Sequence, residues 1–187
     1  MDTLVSSTPV DAPTPLRKLY LGRFAFATVW AGLLATTADD LGALSMTLLF
    51  LYPLVDMAAA ITDLRTAHAG GRAATALYVN VSISALATVG LAFAATADIP
   101  AVLRVWGAWA IASGITQLVT GAVRRSLGGQ WPMIISGAIS TLAGASFAAQ
   151  AGSGDATLKN LAGYAFLGGV FFLVSALRLN RRARQRI

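Results

Sequence analysis

Residues 107 to 144 read GAWAIASGITQLVTGAVRRSLGGQWPMIISGAISTLAG, two apolar runs joined by a short basic turn. Glycine recurs at Gly107, Gly114 and Gly121, every seventh residue, so a helix with 3.6 residues per turn places all three on one stripe. Gly137 and Gly144 repeat that spacing in the second run. A side-chain-free stripe lets two backbones approach closely. In hydrocarbon, where no water drives association, such packing is a main source of helix attraction. The hairpin therefore reads as a membrane packing unit, with helices four and five meeting through Gly114, Gly121, Gly137 and Gly144.

The rest of the chain follows the same plan. A spanning helix needs about twenty apolar residues, and six runs supply them: 19–38, 41–62, 74–96, 101–123, 131–150 and 160–178. The chain is 56% hydrophobic and 12% charged, far more apolar than one soluble core requires. Its basic excess, 14 Lys and Arg against 8 Asp and no Glu, is placed as topology rather than as a nucleic-acid surface. The N-terminal segment, the turns at 63–72 and 124–130 and the C-terminal tail carry eleven of those cations, whereas the opposite turns carry Lys159 alone. This positive-inside bias predicts cytosolic N and C termini. The expected fold class is an all-α integral membrane protein, six transmembrane helices arranged as three repeated helical hairpins. Residues 1–18 form a Pro-containing disordered cytosolic tail, 19–178 the membrane domain and 179–187 a basic cytosolic tail. The basic residues Arg17 and Lys18 lie too far from Met1 for the first run to be a signal peptide.

Three runs end alike: AAITDLR at Arg65, LVTGAVR at Arg124 and FLVSALR at Arg178, separated by 59 and 54 residues. Such a period, with each unit a hairpin, is the mark of an internal repeat. The segments WAIASGITQLVTGAVRR (109–125), QWPMIISGAISTLAG (130–144) and YAFLGGVFFLVSALR (164–178) resemble the HdeD-like family of bacterial inner-membrane proteins, which are built from a short repeat of unknown function. The first hairpin departs from the pattern, with Asp56 near the position held by Gly114 and Gly168 later. The resemblance implies an association with envelope or acid stress and brings no catalytic motif.

Polar residues within the runs are the candidate site. Counted from the basic ends at about 1.5 Å per residue, Asp56, Asn80, Gln117 and Ser136 all fall about 8 to 9 Å deep. They are expected to form one inner-leaflet layer. A carboxylate there must be paired, hydrated or protonated. The sequence places no cation at the depth of Asp56, because Arg23 stands close enough to the inner end to snorkel outward. Asp56 is thus expected either to serve as interhelical hydrogen-bond glue or to form a proton-linked or small-solute site with Asn80 and Gln117 as donors. At the outer side, Arg104 is expected to pair with Asp98, Asp40 or Asp39. His68 lies in a basic turn, and Trp106, Trp109, Trp131 and Tyr164 read as packing or interfacial anchors.

The absence of cysteine excludes disulfides and thiolate chemistry, and one histidine excludes a His-rich metal site within one chain. There is no HExxH, GxSxG or phosphate-loop motif. The expectation is a non-enzymatic protein without cofactor or metal. Its partners are membrane lipid and a second copy of itself in a homo-oligomer, with no nucleic acid.

Overall fold

The structure, a computed structural model, describes residues 14–66, 72–123 and 131–184. Within them lie six helices and no strand: α1 (Thr14–Thr36), α2 (Ala43–Thr66), α3 (Arg72–Ala94), α4 (Ile99–Val123), α5 (Trp131–Gln150) and α6 (Lys159–Arg184). A chain in hydrocarbon must satisfy its backbone internally, and an all-helical fold does so within each segment. Local signals start the helices. Asp98 caps α4, its Oδ1 accepting the backbone N–H of Ala101 at 2.7 Å. Pro53 lies within α2, which continues through it to Thr66.

Five helices are long and apolar enough to cross a membrane, with spans at Arg17–Thr36, Ala43–Thr62, Ala74–Ala94, Ile99–Ala122 and Lys159–Arg178. The apolar segment of α5, Ile134–Gln150, is shorter. Large side chains stand on the outside, with Leu86, Phe93 and Leu142 exposed by 72%, 73% and 72%. An outward apolar face of that kind suits lipid and not water. The chain has the make-up of a multi-pass membrane protein.

Several expected boundaries shift. α1 begins at Thr14, inside the stretch expected to be a disordered tail, and α6 runs past position 178 to Arg184. The apolar count marks where hydrocarbon ends, while a helix continues beyond it as long as no residue stops it. Residues 1–13 and 185–187, His68, and the turn holding Arg124, Arg125 and Gln130 lie outside the described residues.

The helices form a closed ring in chain order, with α6 returning against α1. The contact between α4 and α5 is the most extensive, followed by α1 with α6 and α2 with α3. The seams between α1 and α2 and between α5 and α6 are the thinnest. Glycine explains the closest pair. A Cβ at Gly107 would lie 2.7 Å from the Gly144 carbonyl oxygen, and one at Gly114 2.7 Å from that of Gly137. Gly121 is buried on the same helix. In the α1–α6 pair, a Cβ at Gly169 would lie 3.1 Å from that of Ala27.

The apolar core fills only one end of the ring. It runs through Trp30, Leu34, Leu49, Leu91, Leu103, Trp106, Phe147, Leu158 and Leu161, all toward the turns at 37–42, 95–98 and 151–158. Trp30 stacks on Trp106 with centroids 5.5 Å apart and donates its indole N–H to the Leu48 carbonyl at 2.6 Å. The backbone N–H of Leu158 donates to the Ala38 carbonyl at 2.9 Å, tying the 151–158 turn to the end of α1. Toward the other end, where Arg17, Arg65 and Arg178 lie, no cluster of large apolar side chains forms among the described residues.

Candidate functional site

The basic half is organised by one carboxylate. Asp56 projects from α2 and pairs with the guanidinium of Arg23 on α1 through Nη2 and Oδ1. Its second oxygen accepts from two donors on α3, Asn80 Nδ2 at 2.8 Å and Ser84 Oγ at 3.1 Å. Ser84 in turn receives the indole N–H of Trp109 on α4 at 3.3 Å. Arg23 also stands over the ring of Phe172 on α6, its Cζ 4.2 Å from the centroid, a cation–π contact. One acidic side chain therefore joins α1, α2 and α3 directly, α4 through Ser84 and α6 through Arg23.

The expectation that no cation shares the depth of Asp56 is overturned by Arg23. Because α1 begins at Thr14, Arg23 sits about 13 Å along the helix rather than near its end. It also continues the buried face of Ala27, Trp30 and Leu34, so its side chain leads into the bundle. The layer itself is smaller than expected. Asn80 joins Asp56, but Gln117 and Ser136 do not. Gln117 Oε1 is buried on α4 without a hydrogen-bond partner, and Ser136 is half-buried on α5. Equal depth does not place residues on the same side of a ring.

The site has little room. A cavity of about 20 Å3 lies between Arg23, Phe26, Ala27, Tyr52, Val55, Asp56 and Phe172. That volume suits one water, for which Arg23, Tyr52 and Asp56 supply the polar contacts such a molecule needs. It is too small for an organic solute. Among the described residues no group of three His, Cys, Asp or Glu could hold a metal ion.

At the far end the expected Arg104 ion pair is replaced by other contacts. Arg104 donates to the Ala151 carbonyl at 3.4 Å, just past the C-terminus of α5, where carbonyls lack helical partners. Asp98 is engaged in capping its own helix. Asp40 offers its backbone carbonyl to Ser45 Oγ at 2.7 Å. Asp39 pairs with Lys159 at 2.8 Å and accepts from Thr157 Oγ1 at 2.8 Å. The Lys159 bond, and then that of Thr157, hold the Asp39 carboxyl below the ordinary aspartate range.

Sequence reasoning missed Arg23, Ser84, Trp109 and Phe172. Ser84 follows Asn80 by four residues and so shares its helical face, and Arg23 lies seven residues before the buried Trp30; both signals were present. No family model matches the chain, and neither a curated protein nor a solved structure matches it.

Proposed function

We propose that the chain is a non-enzymatic, six-span inner-membrane protein with cytosolic termini, in which the Arg23–Asp56 centre is a structural tie rather than a transport site. The observation that carries this reading is saturation. Asp56 has a cation on one oxygen and two donors on the other, beside a cavity that suits one water. A carboxylate engaged in this way behaves as glue between helices. The likeness of residues 109–125, 130–144 and 164–178 to the HdeD-like repeat supports three repeated hairpins and a setting in envelope or acid stress. The positive-inside count supports the orientation, and membrane lipid and further copies of the chain are the partners of such a module.

The second reading, a small proton-linked transporter or channel, is favoured only by the partial exposure of the pair, 22% for Arg23 and 14% for Asp56. Vesicles reconstituted with the protein separate the two. On the structural reading, an imposed proton gradient decays as in empty vesicles; faster decay that Asp56→Asn abolishes would establish the transporter. A double-mutant cycle gives the energetic counterpart. Asp56→Ala strands Arg23 and two donors, with a loss somewhat below the about 3–5 kcal/mol of a fully buried pair. Arg23→Gln combined with Asp56→Ala, read against each of those changes alone, loses less than the two together. Additive losses would show that the pair does not couple.

A further inference from the structure

We infer that Arg104 is an anchor for lipid phosphate: at the end of the bundle away from the arginine-rich turns, its guanidinium holds the phosphodiester of a zwitterionic phospholipid on the outward side of the α4–α5 contact. This inference rests on the membrane reading proposed above and gives it a specific partner site.

Two arginines stand more than a turn inside the apolar spans, and they are placed in opposite ways. Arg23 leads into the ring and meets Asp56. Arg104 is exposed, on the same face of α4 as Ala108, Ile115 and Val119, which is the face turned away from the bundle. A guanidinium offers five N–H donors in a planar fork. Arg104 uses one of them on protein, in a long bond of 3.4 Å to the Ala151 carbonyl. No acid pairs with it among the described residues, which include all three turns at this end. Asp98 caps α4 and Asp39 takes Lys159.

The chain also sets the height of the group. The span of α4 begins at Ile99, which puts the Arg104 backbone about 7.5 Å inside it. Side chains on a helix lean toward its N-terminus, so this one leads back to the boundary. It arrives level with Ala151, one residue past the end of α5. There hydrocarbon gives way to headgroups, and the anions at that level are lipid phosphates. A charge beside hydrocarbon is costly without a counter-ion, and a phosphate accepts two parallel bonds from the arginine fork. Deeper along the same side, the exposed side chains Ala108 and Ala145 are small. An acyl chain can therefore lie against the α4–α5 contact beneath a headgroup held by Arg104.

The surroundings select the headgroup. This end carries Asp39, Asp40, Asp98 and Asp155 against Lys159 and Arg104. An anionic lipid would add to that negative excess, whereas a zwitterionic one brings its own cation.

Native mass spectrometry of the purified protein titrated with dioleoylphosphatidylethanolamine reads the site. One lipid should remain bound at energies that strip the others. Arg104→Gln should lose it while melting like the wild type in lipid-free detergent, and Arg104→Lys, a cation without the fork, should keep it in part. Dioleoylglycerol, which lacks the phosphate, should not compete. Displacement by inorganic phosphate would make this a site for a free anion and overturn the lipid assignment. Equal retention by Arg104→Gln, or tighter retention of dioleoylphosphatidylglycerol, would overturn it as well. A second measurement needs no variant. In phosphatidylethanolamine bilayers doped with an analogue carrying a diazirine on its acyl chain, labelling should concentrate at 108–115 and 142–149. The outward face of α3, with Leu86, Val89 and Phe93 exposed, gives the level of ordinary lipid contact. Equal labelling of the two faces would defeat the proposal and leave the membrane reading intact. That reading fails differently, by a protein that stays in solution without detergent or bilayer.

Discussion

The two ends of this bundle are held by different physics. At the end carrying Trp30, Trp106, Leu103 and Leu161, large side chains interdigitate and fill the space between six helices. At the basic end the space is either eliminated, where glycine lets α4 and α5 touch backbone to backbone, or spanned by the polar centre on Asp56. Dispersion between large side chains is spread over many contacts and tolerates small displacements. An ion pair concentrates its contribution in one geometry. The difference teaches how each part responds to one change: the aromatic end spreads the loss over many contacts, whereas at the polar centre one substitution at Asp56 removes an ion pair and two hydrogen bonds together.

The largest expected effect strikes the glycine contact. A Cβ at Gly114 would lie 2.5 Å from Thr141 Oγ1 and 2.7 Å from the Gly137 carbonyl and the Thr141 amide nitrogen. Two of those are backbone atoms, which cannot rotate away. Gly114→Leu should exceed the about 1–3 kcal/mol usual for overpacking and lose folded protein in detergent. Gly32 has nothing within 4 Å, so Gly32→Ala should melt at or above the wild-type temperature. Equal tolerance at both positions would remove glycine contact as what holds the basic half together.

Trp106→Ala tests the other end. Its side chain is fully buried, and truncation leaves a cavity ringed by Trp30, Tyr52 and Trp109. Truncating large aromatics costs about 3–5 kcal/mol in soluble cores. Here helices separate into lipid and not water, so the loss should fall near the lower figure. Thermal unfolding in detergent reads it. A smaller loss than that of Asp56→Ala would reverse the comparison and make the polar centre the stronger of the two.

The helices were legible because run length and basic turns are one-dimensional signals. The α4–α5 contact was legible because glycine at every seventh position fixes a face. The polar centre was half legible: Asp56 and Asn80 share a depth and do meet. Gln117 and Ser136 share that depth too, but a position in a ring also has an azimuth, which depends on which helices are neighbours. Arg23 was misplaced because its depth was counted from the first apolar residue rather than from Thr14. Arg104 was misassigned because charge and proximity do not reveal prior engagement, and Asp98 and Asp39 were already taken by a helix cap and by Lys159.

The smallest expected effect concerns that last pair, which ties the turn after α1 to the start of α6. Asp39 and Lys159 are both largely exposed, so solvent screens them and their contribution is slight. Its pH dependence has a definite sign. The folded carboxyl is held below the ordinary aspartate value, so its stabilisation is fully present above that value, about 3.9, and is lost as pH falls through the lowered folded one. The small melting difference between the wild type and Asp39→Asn should therefore stay constant from neutral pH down to about pH 4 and close below it. A gap that instead narrows between neutral pH and pH 4 would assign the effect to another group. A gap that persists in acid would mean that the Thr157 bond, and not the charge on Asp39, fastens the turn.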